Sequence, residues 1–262
     1  MTTFQQFGKI TTIASNTFRE AVRDRVLYNL IVFVLLITAA AIFLGDLTDG
    51  YEARTIVNLG LSAMLMFGVF IAIFVGVGLV SKEIEKRTIY SVLSKPVGRG
   101  QFIVGRYLGL CLTLLVNVAM MALGVTLALL IVGGGRLAPA VWGAVSLIYL
   151  ELTIITAVAI LFSSFSSPAL SALLTFMVFI IGHFSASLRD FAANLGSDSA
   201  KLFFSFLYYF LPNLSHYSFI TNAAHGDVPP ASYLLTAVVY TIFYASIVIA
   251  ASALIFSRRN FK

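Results

Sequence analysis

The feature that most constrains this chain is the length of its uncharged stretches. Runs of 20, 27, 29, 37 and 30 residues without Asp, Glu, Lys or Arg follow Arg25, Arg54, Arg106, Glu151 and Asp227. A helix needs roughly 20 apolar residues, at about 1.5 Å of rise each, to cross about 30 Å of membrane hydrocarbon. Charged residues make up only 11% of the chain, whereas they make up about a quarter of soluble domains. The sequence therefore predicts an all-α integral membrane protein.

The uncharged stretches divide into six predicted transmembrane helices within a single domain over residues 1–262. All six prolines lie between these spans, as expected where proline interrupts helical hydrogen bonding. The long stretch after Glu151 is divided at residues 163–168, a polar turn that ends in proline. The six spans are expected at about residues 27–44, 56–80, 102–132, 142–162, 169–186 and 233–256.

The distribution of Lys and Arg predicts the orientation. Of the 17 such residues, the segments on the same side as the N-terminus carry 13. Since cytoplasmic segments are enriched in Lys and Arg, both termini are predicted to lie in the cytoplasm. The predicted location of the chain is the inner membrane of the cell. The net charge of +6 is then a topology signal, and no nucleic-acid partner is expected. The lone Cys111 excludes a disulfide within the chain.

Two segments outside the spans have the pattern of interfacial helices. Residues 1–26 place apolar side chains at helical spacing beside Arg19, Glu20 and Arg23, which predicts an amphipathic helix in the cytoplasmic interface. An ordinary polybasic flank to the first span is the alternative. Between the fifth and sixth spans, the aromatic run 202–211 is too short to cross the membrane and is predicted to form a re-entrant or interfacial helix on the outer side.

The loop between the second and third spans has the pattern of a short cytoplasmic helix. Ser81 is predicted as its N-cap, Glu83 lies in its first turn, and Pro96 ends it. Ile84, Thr88 and Val92 form an apolar stripe, which indicates a docking surface. The alternative is a solvated linker whose charges only set the topology.

At these residues the chain resembles the permease family of type-2 ABC transporters. That family carries a loop of the form Glu, three residues, Gly-Thr, a Leu-rich turn, Pro, two residues and Arg, which Glu83, Thr88, Pro96 and Arg99 match; Arg87 replaces the usual glycine. The segments 17–25 and 105–109 are also similar to the family. The run 96–101 is similar to a branch of the family that is associated with the maturation of multicopper enzymes.

The resemblance implies a permease that forms a dimer with a second permease copy. This dimer would bind cytoplasmic ABC ATPase subunits. Its predicted direction is export. The loop would be the coupling helix that contacts the ATPase, and the N-terminal helix with Arg19, Glu20 and Arg23 would brace that contact. The implied coupling residues are Glu83, Ile84, Arg87, Thr88, Val92, Pro96 and Arg99. ATP and magnesium would bind to the ATPase, because this sequence has no phosphate-binding G-x-x-x-x-G-K-[ST] motif.

Within the membrane, Glu151 is the residue that most needs an explanation, since a charged group at that depth is normally paired, protonated or in contact with water. Helical rise places His183 at a similar depth, and Asn117 is a further polar candidate. Either these three line a translocation pathway or Glu151 is a protonated carboxyl that bonds a neighbouring helix. Three hydroxyl partners are expected for Glu151, from Thr153, Thr156 and Thr175.

Other function classes fit less well. No catalytic cluster and no metal site is predicted, since nothing in the sequence combines a nucleophile with a base or shows metal-ligand spacing. A secondary transporter that uses Glu151 would require matched broken helices in its two halves, which the sequence lacks. The main alternative to a permease is a membrane anchor that transmits ATPase motion to an outer or periplasmic partner without transport.

Overall fold

The computed structural model describes residues 3–21, 51–85, 98–185 and 198–258, together with five positions between 32 and 43. Within these ranges the chain is helical, with no strand. The α-helices are α1 (Thr3–Ala21), α2 (Glu52–Glu85), α3 (Arg99–Ile131), α4 (Ala138–Ser163), α5 (Pro168–His183), α6 (Asp198–Phe210), α7 (Ile220–His225) and α8 (Ala231–Arg258), and two 3-10 turns cover Gly135–Leu137 and Leu214–Tyr217.

Four of the described helices are long and apolar enough to cross a membrane, within Glu52–Gly78, Gly100–Ile131, Gly135–Ser163 and Ala231–Ser257. They correspond to the predicted second, third, fourth and sixth spans. The predicted first span lies mostly outside the described residues. Of its described positions, Phe33 is fully buried and its ring contacts Phe67 of α2 edge-on at 5.9 Å. The full count of six spans and the side on which the termini lie stay predictions.

The fifth helix is shorter than predicted. The sequence predicted a span over 169–186, whereas α5 ends at His183 after 16 residues, a length of about 24 Å against about 30 Å of hydrocarbon. The chain after α6 packs against its last turn. A Cβ at Gly182 would lie 2.7 Å from the carbonyl oxygen of Pro212.

The second helix is longer than predicted. It continues without a break through Ser81 to Glu85, so Ser81 does not begin a separate helix, and that prediction is wrong. No glycine or proline lies between Val80 and Glu85 to interrupt the helix. The rest of the predicted coupling helix, residues 86–97, lies outside the described residues.

The core is centred on α4, which packs against α2, α3, α5 and α8. Its residues from Leu152 to Ile160 are all buried. Both α4 and α5 have a proline in their first turn. Proline is tolerated there because the backbone N–H groups of the first turn have no partner within the helix. These contacts place the middle of α4 at the centre of the bundle, so a polar side chain there has protein on all sides.

Candidate functional site

The predicted coupling residues fall at two helix ends or outside the described residues. Glu83 and Ile84 lie in the last turn of α2, and Arg99 is the first residue of α3. Gly98 precedes that helix, and its backbone N–H donates to Gln101 Oε1 at 3.2 Å. Four further predicted coupling residues, Arg87, Thr88, Val92 and Pro96, lie outside the described residues, as does Arg23 of the predicted N-terminal interface.

The N-terminal helix α1 packs along α3, and two glycines make this possible. A Cβ at Gly105 would lie 2.7 Å from Ile13 Cγ2, and a Cβ at Gly109 would lie 2.6 Å from the carbonyl oxygen of Ala14. Both distances are shorter than any ordinary carbon contact. The Gly105-x-x-x-Gly109 spacing therefore serves close helix approach, as it does in membrane helix pairs generally, and its partner is α1.

An ion pair joins the same two helices. Arg106 Nη1 donates to Glu20 Oε2 at 2.8 Å, with 8% of the arginine side chain and 49% of the glutamate side chain exposed. The Arg106 guanidinium also lies over the Phe102 ring, 5.2 Å from its centroid. Glu20 was predicted as an interface residue from the sequence, and Arg106 was missed as its partner. The sequence signal for this pair is that Arg106 is the one charged residue in the segment from Gly105 to Gly109.

Glu151 lies in the middle of α4 and is 1% exposed. Its Oε1 lies 3.4 Å from Nδ1 of His183, whose side chain is 29% exposed. The orientation of the two groups does not form a hydrogen bond, and neither of these two atoms has another hydrogen-bond partner among the described residues. The sequence placed these two residues at a similar depth, and in the structure they lie side by side.

Asn117 lies at about the same depth but makes no hydrogen bond to Glu151. Thr113 and Thr156 line one small apolar gap. Asn117 lies four residues after Thr113 in α3, or about 6 Å along the helix, and Glu151 lies five residues before Thr156 in α4, or about 7.5 Å. Because α3 and α4 are antiparallel, both residues are displaced from the gap in the same direction. The Asn117 amide donates to the carbonyl oxygen of Thr113 at 2.7 Å, and its Oδ1 has no partner among the described residues.

The predicted hydroxyl partners of Glu151 do not contact it. Thr153, Thr156 and Thr175 each donate to a carbonyl oxygen three or four residues earlier in their own helix, at 2.7, 2.8 and 2.7 Å. This is the usual local bond of threonine within a helix, where it needs no other partner. The prediction of three threonine partners is therefore wrong.

The chain after α6 closes one end of the bundle through a hydrogen-bonded network that the sequence did not predict. Ser185 donates to Asn213 Oδ1 at 2.7 Å, Ser215 donates to the same oxygen at 2.6 Å, and the backbone N–H of Asn213 donates to the Tyr240 hydroxyl at 3.0 Å. The network ties the end of α5 and the side of α8 to the Leu214–Tyr217 turn. We call residues 211–219 the closing segment.

Tyr217 anchors the closing segment within the bundle. It is 1% exposed, and its hydroxyl lies 2.6 Å from Thr241 Oγ1 and donates to the carbonyl oxygen of Ala237 at 3.2 Å. Burial raises the pKa of Tyr217, so the phenol stays protonated and neutral. Its sequence context, a tyrosine in a short polar run, carries no signal that marks it as buried.

The side chains of the site can hydrogen-bond neighbouring helices and can bind a proton. Among the described residues they do not form a cluster that could bind a metal ion. No three His, Cys, Asp or Glu side chains come together there in a way that could hold a metal ion. What the site offers instead is a carboxyl and an imidazole face to face inside an apolar bundle, with a polar network at one end.

The model of one protein family, described as ABC-2 family transporter protein, matches residues 11–261. The match begins within α1 and continues past the end of α8, so it includes Glu20, Arg106, Glu151, His183 and the closing segment. No curated protein matches the chain.

Proposed function

We propose a function for this chain from one premise, which is that it belongs to the ABC-2 family of transporter proteins. Family membership and four apolar helices of spanning length make it a multi-pass membrane protein. The proposed function is that of the permease subunit of an ATP-driven ABC transporter. The family match over nearly the whole chain is the observation that carries this proposal.

ATP hydrolysis is assigned to a separate cytoplasmic ATPase, which would bind ATP and magnesium. The sequence supports this division because it lacks the phosphate-binding motif and devotes its length to apolar helices. The contact is proposed at the segment that joins α2 to α3, with Glu83, Ile84 and Arg99 at its two ends. Since α1 is fastened to α3 by Glu20, Arg106 and the two glycines, a push on this segment would move α1 and α3 together.

The finer points of the proposal come from the family resemblance. They are export as the direction, a second copy of this chain as the partner permease, and the inner membrane as the location. The intramembrane polar residues themselves suggest a pathway at the level of Glu151, Asn117 and His183, and the alternative is that Glu151 only bonds a neighbouring helix. The similarity to the multicopper branch stays a prediction.

A membrane anchor without transport is the second candidate, and one observation favours it. Helix α6 exposes large apolar side chains, including Leu202 at 75%, Phe203 at 58% and Tyr209 at 85%. A surface of this kind beside the closing segment would suit an outer partner protein. In that case ATPase motion would be transmitted across the membrane and no substrate would move.

The test is purification of the tagged chain in mild detergent, with mass spectrometry of the proteins that co-purify and an assay of ATP hydrolysis. We expect an ABC ATPase in stoichiometric amount. The double variant Ile84→Asp plus Val92→Asp should lose it, because two buried carboxylates oppose docking of an apolar stripe. The matched control is Val228→Asp, an exposed position at the opposite end of the bundle.

Three results would decide between the candidates. Undiminished ATPase capture by the double variant would count against the coupling segment, and a chain that purifies alone under conditions that preserve complexes would count against the permease proposal. Capture of the ATPase together with an outer protein, without uptake or export of any candidate substrate in vesicles, would favour the anchor.

A further inference from the structure

Two buried polar atoms face each other in the middle of the bundle without a hydrogen bond. They are Glu151 Oε1 and His183 Nδ1, 3.4 Å apart. This separation is slightly longer than the usual range for a hydrogen bond, so a small rotation of either side chain closes it. One of the two atoms must carry a proton for that bond to form, since a bare carboxylate oxygen and an unprotonated ring nitrogen are both acceptors.

The pair lies far from both ends of α4. Glu151 follows Ala138 by 13 residues and precedes Ser163 by 12, so it lies about 18 Å or more from each end of the helix. His183 reaches this depth because α5 is short and ends there. The glutamate is 1% exposed, whereas the histidine side chain is 29% exposed. The histidine is therefore the more exposed member of the pair.

No other described titratable group at this depth can neutralise a charge on the pair. Helix α2 packs against both α4 and α5 and has no titratable side chain between residues 55 and 81. Apart from Glu151, His216 and the arginines, the titratable groups on α3, α4, α8 and the closing segment are phenols and a thiol, which are uncharged at neutral pH. They are Tyr107, Cys111, Tyr149, Tyr217, Tyr233, Tyr240 and Tyr244.

The other titratable groups on the packed elements lie elsewhere. Arg106 of α3 pairs with Glu20, near the other end of the bundle. His216 stacks on the Tyr233 ring, with 4.5 Å between centroids, and His225 of α7 is exposed and bonds the Thr221 carbonyl oxygen. Glu52, Arg54 and Arg136 lie at the end of the bundle where the turn before α4 meets the start of α2.

We propose that Glu151 and His183 are a proton-binding site that holds one proton between them, and that this proton fastens the outer end of α5 to the middle of α4. A low-dielectric interior favours the form of the pair with no net charge. Of the two neutral forms, an ion pair separates charge where water is absent, and desolvation opposes it. The proton therefore lies on Glu151, whose O–H donates to the neutral imidazole at Nδ1.

The fastening has a consequence for the closing segment. Ser185, two residues after His183, bonds Asn213 and Ser215, so the chain just after α5 is held to the closing segment. If the shared proton is lost, a charged carboxylate remains buried beside α5, and the cost of burying that charge favours opening of the bundle there. The attachment would thus depend on pH. This holds whether or not the chain transports a substrate.

Infrared spectroscopy of the purified chain at neutral pH tests the location of the proton. The wild type should show the carbonyl stretch of a protonated carboxylic acid, and Glu151→Gln should lose it. The control Glu52→Gln, at the start of α2, should keep it. His183→Phe retains a ring beside Phe179 and Phe184, which now flank the imidazole at 5.7 and 6.3 Å, and should shift the band to the frequency of an acid that donates no hydrogen bond.

Two outcomes of that measurement would overturn the proposal. If the wild type has no band that depends on Glu151, the carboxyl is ionised. If His183→Phe has the band at the wild-type frequency, the proton is not shared with the imidazole.

Thermal unfolding against pH tests the fastening separately. The wild-type midpoint should fall as the pH rises above the range in which a free carboxyl ionises, because the unfolded chain then loses a proton that the folded chain keeps. Glu151→Gln carries no such proton and should lack this part of the fall. Identical pH profiles for the two proteins would mean that the proton does not fasten α5.

Discussion

Hydroxyl groups hold the closing segment to the bundle, and the most buried of them is that of Tyr217. Its side chain fills a space between the Leu214–Tyr217 turn and α8, where Thr241 and the carbonyl oxygen of Ala237 meet the phenol. Thr241 also donates to the Ala237 carbonyl oxygen at 2.8 Å. Removing the phenol oxygen would therefore remove contacts that link two elements, while the local bond within α8 would stay.

We expect Tyr217→Phe to lower the free energy of unfolding by about 0.5–1.5 kcal/mol, the usual value of a buried hydrogen bond. Thermal unfolding in detergent measures the change. The matched control is Tyr209→Phe, the same substitution at a side chain that is 85% exposed, and it should be neutral. Equal effects at both positions would show that the Tyr217 hydroxyl contributes nothing specific.

The intramembrane residues show what depth counting can predict. Residues 163–168 form a turn shared by α4 and α5, so the number of residues from that turn places Glu151 and His183 at one level, and they do meet. Counting residues along a helix gives the depth of a side chain but does not show which neighbouring helix it faces. Asn117 is at that level and yet bonds its own helix, and the threonines nearest to Glu151 do the same.

At the scale of elements, the packing of α1 on α3 depends on the absence of side chains at two positions. Ile13, Ala14 and Thr17 of α1 occupy the space above Gly105 and Gly109. The sequence indicated a helix over residues 1–26, but nothing in it showed that Gly105 and Gly109 of α3 are where this helix packs. Glycine spacing shows where a helix can approach closely and carries no information about which helix does so.

We expect Gly109→Leu to push α1 away from α3. Overpacking of this kind costs about 1–3 kcal/mol, and the freed helix should become sensitive to protease. The control is Gly78→Ala in α2, where an added Cβ would meet nothing within 4 Å, and helix propensity makes that change neutral or slightly stabilising. Limited proteolysis of α1 and thermal unfolding measure both variants. Unchanged protection in Gly109→Leu would contradict the observed packing.

Helix boundaries were the least predictable part of the elements. Charge-free stretches mark where the chain avoids water, and they located α2, α3, α4 and α8. They did not predict the end of α5 at His183, where the closing segment packs on Gly182. Nor did they predict the end of α2, since that helix continues into the charged residues 82–85.

At the scale of the whole molecule, the orientation of the bundle is the prediction on which the others depend. The turn before α4 and the turn after it lie at opposite ends of that helix, 26 residues apart. The charge distribution places the first outside the cell and the second in the cytoplasm. Two exposed positions, Arg136 and Ser167, represent the two ends.

Cysteine labelling of intact cells with a membrane-impermeant maleimide measures this orientation. We expect Arg136→Cys to be labelled at once and Ser167→Cys only after the membrane is permeabilised. Cys111 is buried, so the wild type provides a background with little labelling. The reverse pattern would place the termini outside and would remove the ATPase contact from the segment between α2 and α3.

The short α5 leaves one side of the bundle built from two pieces. Whereas α2, α3, α4 and α8 are each long enough to cross a membrane as one helix, α5 is capped by the closing segment, which packs on Gly182 and bonds to Ser185 and Tyr240. A single long helix transmits a displacement along its whole length. We expect the two-piece side to let the ends of the bundle shift relative to each other without bending any helix.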